Sequence, residues 1–315
     1  MEARETSGQN RQGTRAGNYR RHGFRHGAGF VTLGVALAFL VGLASFLLSE
    51  SNLYTLLVSR PEVLPSVGFA AVASLLPASL VAVYVWFSDT DDRLSVPTLV
   101  AGFGLGALVT VFAGEMNVVA FGWFETVPAF GAVFFFYLFV GPFEEGMKML
   151  AVYLHPSGVR FDRAVQYAVL GAFVGLGFAF VENLLYITSN AVFGWETLAD
   201  AAVGRSGISP LHVVLSAVAG YYIGRARRGD GYGVVTAVNG LVTVAFLHAT
   251  YNTLVSSLET SSTGGAQALG GNTAVVVVGF FVVILYLLES MLRGSRLENS
   301  REAEDTGLGS HANAD

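Results

Sequence analysis

Apolar stretches long enough to cross a bilayer dominate this sequence and constrain its fold more than any other feature. About eight occur, each of roughly 18 to 25 residues, and a helix of that length spans ~30 Å of hydrocarbon. Only 13% of the 315 residues are charged, against about 25% in soluble domains. The alternating pattern of a membrane β-barrel is absent. We therefore predict an all-α fold, a polytopic transmembrane helical bundle with spans at 28–48, 65–87, 96–114, 132–154, 164–188, 208–224, 231–255 and 274–292.

The positions of lysine and arginine predict the orientation of these spans. If the N-terminus lies inside, all 18 of these residues except Arg60 and Arg205 fall in inner segments, and cytoplasmic loops do carry an excess of such residues. We expect a multi-pass protein of the cell membrane with both termini inside. Residues 1–27 are predicted to be a disordered basic cytoplasmic tail, 28–292 the transmembrane domain, and 293–315 a disordered cytoplasmic tail.

Two further features of the composition narrow the possible functions. The chain has no cysteine, which excludes thiol catalysis and zinc–thiolate sites. Lys148 is its only lysine. We expect the lipid bilayer to surround this chain, and we expect it to bind no nucleic acid.

Glu144 and Glu145 interrupt the apolar run 132–154. A carboxylate near the bilayer centre costs several kcal/mol, so acids at such positions are rare and usually functional. Pro142 precedes the pair, and we expect either a kink or a helix that restarts with Pro142 in its first turn. Lys148 lies one helical turn further on and could pair with either glutamate. A purely structural ion pair is the alternative, but it would not need the second carboxylate.

Polar side chains enter three further spans. Glu182 and Asn183 lie in the fifth, His212 opens the sixth, and His248 lies near the end of the seventh with Asn252 one turn later. A single membrane histidine is more often a packing residue than a ligand. Two of them together with three carboxylates favour a metal site, because histidine and glutamate are common zinc ligands. For Glu182 alone, the alternative is an interfacial glutamate at a helix end.

The predicted topology places these residues in one half of the bilayer. Because the fifth and seventh spans run outward and the sixth inward, Glu182, His212 and His248 all fall in the outer half. Glu144 is expected to lie deeper, ~18 Å from the outer end of its span against ~9 Å for Glu182 and His248. The offset closes if the fifth and seventh helices extend a turn, or if the fourth is tilted or broken at Pro142. We expect the glutamate pair to form the floor of a water-filled pocket that opens outward.

Four motifs carry a resemblance to a known family. They are Glu144-Glu145-x-x-Lys148, Phe178-x-x-x-Glu182-Asn183, His212 and His248-x-x-x-Asn252. In order, spacing and membrane placement they resemble the PrsW family of intramembrane proteases, which is related to the CAAX prenyl endopeptidases and the bacteriocin-processing membrane proteases. The resemblance covers residues ~60–255, with the core motifs at 132–255.

The resemblance implies cleavage of a peptide bond within or beside the membrane. Bacterial members are similar to site-1 proteases that cut a membrane-anchored anti-sigma factor on its outer side. We expect a membrane-anchored protein or peptide substrate that is cleaved near the extracytoplasmic side. An anti-sigma-factor-like substrate fits the family, although no residue of this chain identifies it.

The resemblance also suggests a mechanism. A zinc-type metal, expected to be Zn²⁺, would be held by His212, His248 and Glu182. Either Glu144 or Glu145 would take a proton from the attacking water and pass it to the leaving amine, and the sequence leaves open which. A hydrolysis driven by glutamate alone would use the same residues.

Two more residues have predicted roles in this mechanism. Asn252 would donate a hydrogen bond to the oxyanion, and Lys148 would keep one glutamate ionised and oriented.

A proton-coupled transporter is one rival function, because intramembrane Glu, His and Asn also relay protons. The missing internal repeats and the clustering toward one leaflet argue against it. A catalytically silent membrane protein of the same fold is the other rival.

Overall fold

The computed structural model describes residues 64–89, 93–127, 130–155, 161–189, 195–206, 208–228, 233–262 and 278–294. These segments are mainly helical and contain no β-strand, which confirms the all-α prediction for the described part of the chain. The predicted first span 28–48 and the tail 1–27 lie outside the described residues. The tail 293–315 does so as well, apart from its first two residues, which end the last helix.

The helices in these segments are α1 (Leu64–Phe87), α2 (Val96–Phe124), α3 (Gly131–Phe134), a π-helical segment (Phe135–Val140), α4 (Gly141–Leu154), α5 (Ala164–Ser189), α6 (Trp195–Ser206), α7 (Ile208–Arg228), α8 (Gly233–Ser262) and α9 (278–294). Three stretches of described helix are long and apolar enough to cross a membrane, namely Val96–Phe124, Ala164–Ile187 and Gly233–Ser256. The arrangement of eight spans with both termini inside stays a prediction.

Helix α5 is the centre of the bundle and packs between α2 and α7. Its small residues allow this close packing. At Gly175 a Cβ atom would overlap the backbone carbonyl of His212 on α7, so only glycine fits there. The glycine-rich half of α5 therefore sets the distance to α7, and it brings Glu182 of α5 within reach of the His212 side chain.

The helix that carries the paired glutamates changes its winding just before them. In the π-helical segment Phe135–Val140, the chain widens so that the Gly141 N–H donates to the carbonyl of Phe136, five residues back. Pro142 follows in the first turn of α4 and has no N–H to donate. The structure thus places a π-helical segment where the sequence predicted a kink or a restart at Pro142.

Two helices extend beyond their predicted bounds, and a third was not predicted, in ways that shape the site. Helix α2 continues beyond the predicted end at residue 114, to Phe124. Helix α8 continues beyond residue 255, to Ser262. Helix α6 lies in the connection between the predicted fifth and sixth spans, where no helix was expected.

Candidate active site

Glu145 is the most enclosed carboxylate of the site. Its side chain is 0% exposed, and its Oε1 accepts hydrogen bonds from Lys148 Nζ at 2.6 Å and from His248 Nδ1 at 2.8 Å. The first contact follows from helix geometry, because residues three apart share a face of α4. The second joins α4 to α8. It needs glycine at position 141, where a Cβ atom would lie 2.5 Å from the Ala245 carbonyl oxygen.

Lys148 connects the glutamate pair to His212 on α7. Its buried ammonium lies 2.9 Å from His212 Nδ1 and 4.1 Å from the centroid of the Phe178 ring. Because lysine only donates hydrogen bonds, Nδ1 accepts and the proton of a neutral His212 is on Nε2, which donates to Glu182 Oε2 at 2.9 Å. The only lysine therefore selects the tautomer of His212 and completes a hydrogen-bonded chain from Glu145 to Glu182.

Glu144 has a different environment from its neighbour. It is buried but lines a cavity of about 600 Å³, and its Oε1 accepts a hydrogen bond from Asn117 Nδ2 of α2 at 2.7 Å. Its Oε2 has no hydrogen-bond partner among the described residues and lies 3.8 Å from His248 Nε2. Since His248 uses Nδ1 to donate to Glu145, both facing atoms are acceptors when His248 is neutral. A proton or a cation between them would remove this repulsion.

An ion pair borders the same cavity near the end of α5. Arg205 Nη2 of α6 lies 2.6 Å from Glu182 Oε2, and Arg205 Nε donates to Asn183 Oδ1 at 2.7 Å. The guanidinium also lies over the Tyr186 ring, 4.6 Å from its centroid. Asn183 Nδ2 in turn donates to Ser209 Oγ on α7. These contacts attach α6 to α5 and α7 directly beside the site.

Three of these side chains form a group that could hold a metal ion. A carboxylate oxygen of Glu144 and ring nitrogens of His212 and His248 lie within 4.8 Å of one another, and all three residues are buried. Imidazole nitrogens and carboxylate oxygens suit zinc-type ions. The Nδ1–H of His248 donates to Glu145, the usual support for a metal-binding histidine. The sequence predicted Glu182 in place of Glu144, and Glu182 lies beside this group, against His212.

Glu144 and His248 lie about midway along their helical segments, whereas His212 lies near the start of α7 and Glu182 lies near the end of α5. Because α8 continues to Ser262, His248 lies ~21 Å from that end, whereas the predicted end at residue 255 implied ~9 Å. Glu144 lies ~20 Å from Gly131, where α3 begins. The sequence offered extension of both the fifth and the seventh helices as one alternative. The seventh extends, so Glu144 and His248 lie at similar distances from these helix ends, but the described part of α5 ends at Ser189, about where the span was predicted to end.

Comparison with known proteins now places the chain. Residues 95–287 match the family model described as PrsW family intramembrane metalloprotease. The chain belongs to the PrsW family. It is therefore a peptidase that acts as an intramembrane protease, as the resemblance of the four motifs implied.

Curated relatives agree with this placement. The Protease PrsW of Shouchella clausii is 30% identical over 224 residues, which cover 69% of this chain and 92% of the relative. That of Halalkalibacterium halodurans is 27% identical over 188 residues, with 58% and 81% covered. That of Bacillus subtilis is 28% identical over 194 residues, with 59% and 83% covered. No solved structure matches the chain.

The predicted site residues of this PrsW-family protease all lie at or beside one cavity. Glu144, Glu182 and Asn252 line it, while Glu145 and Lys148 lie behind this surface and contact the two histidines. The structure thus separates the adjacent glutamates into one that faces the cavity and one that does not.

Two residues at the site were missed from the sequence. Asn117 is a polar residue in an apolar stretch, the signal that identified Glu182, but the predicted span ended before it. Arg205 is one of only two basic residues outside the predicted inner segments, and that exception was a signal for a special role. Its partner Glu182 is not deducible from either position alone.

Proposed function

We propose that this protease uses Glu144 as its general base and a bound Zn²⁺ to hydrolyse a membrane-anchored protein, from a cavity that opens on the extracytoplasmic side. The observation that carries the proposal is Glu144 Oε2, a buried carboxylate oxygen at the cavity wall with no hydrogen-bond partner among the described residues. A general base needs an unoccupied acceptor within reach of the proton that it removes. Glu145 Oε2 also has no hydrogen-bond partner among the described residues, but Glu145 is 0% exposed and does not line the cavity, so it is out of reach of a water molecule there.

The proposed proton transfer runs through Glu144 alone. Its Oε2 takes a proton from a water molecule while the water oxygen attacks the carbonyl carbon, and it delivers this proton to the amine nitrogen as the C–N bond breaks. Asn117 holds Oε1 and so leaves Oε2 for the transfer. Asn252 lines the same cavity and would donate to the carbonyl oxygen as negative charge develops there.

The residues that would hold the metal are His212, His248 and Glu182. A bound Zn²⁺ would supply Lewis-acid chemistry, polarising the carbonyl and making hydroxide available near neutral pH. Glu145 accepts the Nδ1–H of His248, the support expected for a metal-binding histidine. Lys148 instead donates to Nδ1 of His212, so His212 would bind a metal through Nε2 only after that nitrogen has given up its proton, which now goes to Glu182.

A second assignment has an observation in its favour. Among the described residues, Glu144, His212 and His248 form a group whose ligand atoms lie within 4.8 Å of one another, so Glu144 could itself be a metal donor. Metal content separates the two assignments. Purified Glu144→Gln should keep the metal content of the unchanged protein but lose activity if Glu144 is the base, and should lose both if it is a donor. Full activity of the chelated, metal-free protein would remove the metal from the proposal.

The substrate class is tested in membranes. We propose a single-span, anti-sigma-factor-like protein, and mass spectrometry of new protein N-termini should find its fragments in cells that produce the unchanged protease. Glu144→Gln should abolish them, because loss of a general base costs about 10²- to 10⁴-fold in rate. Glu115→Gln is the matched control, since Glu115 is an acid of α2 outside the cavity lining. Fragments that persist in Glu144→Gln contradict the assigned base, and cleavage on the cytoplasmic side contradicts the proposed opening.

The proposed orientation is testable without background because the chain has no cysteine. Single cysteines at Ser88 and Ser261 should fall on opposite sides of the membrane if both termini are inside. A membrane-impermeant maleimide should then label Ser261→Cys in intact cells and Ser88→Cys only after the cells are opened. The reverse pattern would invert the topology.

A further inference from the structure

A second cavity lies beside the C-terminal part of α4, away from the active site. It measures about 650 Å³ and is bordered by α4, α7 and the start of α8. Its lining is mainly apolar, with Met149, Ile223 and Ala237 among the side chains, and Arg227 is its only charged lining residue in the described part of the chain. An apolar groove with a single cation at one end is matched to an amphiphile that carries a negative head.

Arg227 is positioned so that its guanidinium can bind an anion. Arg227 is exposed, its Nη2 donates to the Tyr153 carbonyl at 3.0 Å, and its guanidinium lies over the Tyr153 ring, 4.4 Å from the centroid. Guanidinium has five N–H donors, so most remain for a phosphate, which arginine pairs with in a bidentate manner. Arg225 and Arg228 add positive charge at the same helix end, and the segment 225–232 carries three arginines against one aspartate.

An apolar path continues from the groove along α8. Val234 lines the groove and is 79% exposed, and Val238 and Val242, each one turn further, are 51% and 61% exposed. This stripe runs from the arginine-rich helix end toward the middle of α8. An acyl chain whose head lies at Arg227 would therefore follow the stripe into the hydrocarbon region.

We propose that this groove is a binding site for one anionic phospholipid, with the phosphate on Arg227 and an acyl chain against Met149, Val234 and Val238. Basic pockets between membrane helices are suited to acidic lipid head groups. The site is separate from the glutamates and histidines of the active site, so the inference does not depend on the catalytic assignments.

The test is lipid binding to the purified full chain in detergent, measured by native mass spectrometry. The probes are phosphatidylglycerol and phosphatidylcholine with identical acyl chains. The unchanged protein should bind phosphatidylglycerol more tightly, and Arg227→Gln should lower that affinity roughly five-fold, as expected for one arginine near an anionic head group, while leaving phosphatidylcholine binding unchanged. Arg225→Gln is the matched control, because Arg225 lies on the same helix end but does not line the groove.

A second variant tests the apolar part of the site. A Cβ atom at Gly146, which lines the groove, would meet nothing within 4 Å, so Gly146→Leu should fold and should reduce binding of both lipids. Equal losses in Arg225→Gln and Arg227→Gln would show diffuse attraction and overturn the site. Unchanged lipid binding in Gly146→Leu would also overturn it, as would displacement of phosphatidylglycerol by glycerol phosphate at similar concentration, which would indicate a site for the phosphate group alone.

Discussion

Neutralising the two adjacent glutamates should change stability in opposite directions when no metal is bound. Among the described residues of the site, two cations serve three carboxylates. Lys148 lies 2.6 Å from Glu145, and Arg205 lies 2.6 Å from Glu182. Glu144 is left without a fixed cation. Glu145 is therefore paired with a cation, whereas its neighbour Glu144 on the same helix is not.

The change Glu145→Gln should destabilise the fold. It removes the counter-ion of Lys148, whose side chain is 0% exposed. Breaking a buried ion pair by removing one partner costs about 3–5 kcal/mol. The double variant Lys148→Met with Glu145→Gln should recover much of this loss, because it leaves no unpaired buried charge.

The change Glu144→Gln should stabilise the metal-free protein. The new amide oxygen still accepts from Asn117, and the new amide N–H₂ faces His248 Nε2, an acceptor 3.8 Å from the present Oε2. Removing an unpaired buried charge and adding a hydrogen bond should be worth about 1–3 kcal/mol. Such a gain in stability with loss of activity is expected for residues that are kept for function.

The measurement is the free energy of unfolding in detergent micelles, followed by far-ultraviolet circular dichroism as sodium dodecyl sulfate is added in the presence of a chelator. The control is Arg293→Met, since the Arg293–Glu289 pair is largely exposed and should contribute little. A stabilising Glu145→Gln, a destabilising Glu144→Gln, or a double variant no better than Glu145→Gln alone would refute the charge assignment.

Three further predictions concern the rate of substrate cleavage in liposomes, measured with a substrate found by the mass spectrometry of new N-termini proposed above. Gly141→Ala should lower kcat about 100-fold, because a Cβ atom 2.5 Å from the Ala245 carbonyl must displace α4 from α8, whereas Gly146→Ala meets no atom within 4 Å and should not. Asn117→Ala should lower kcat about ten-fold or more with unchanged metal content, because the base loses a charge-assisted hydrogen bond. Asn252→Ala should lower kcat about 100-fold with little change in KM, as expected for an oxyanion donor.

Contacts within one helix were predictable from spacing alone. Lys148 pairs with Glu145 because residues three apart share a helix face, and the rarity of membrane carboxylates singled out the glutamates before any fold was known. The break before the pair was also predictable, because Pro142 has no N–H. Its form as a π-helical segment was not, since the missing N–H of Pro142 does not specify how the preceding turn is wound.

The sequence predicted that polar residues from different helices would cluster, but it did not predict which of them would contact each other. Hydropathy ended the seventh span at residue 255, yet α8 continues through polar residues to Ser262, and this length sets the distance of His248 from the end of its helix. Asn117 was excluded in the same way, by a span that ended too early. The Arg205–Glu182 pair depends on a connection that folds as a helix, which apolar periodicity does not report.

The hydrogen bonding of a helix limits the form in which a substrate is cleaved. The carbonyl groups of a membrane helix are already hydrogen-bonded within that helix, whereas the proposed oxyanion donor Asn252, which lines the cavity, needs an unpaired carbonyl. We therefore expect cleavage where the substrate helix ends or unwinds, and a glycine or proline introduced near the cleaved bond should raise the rate.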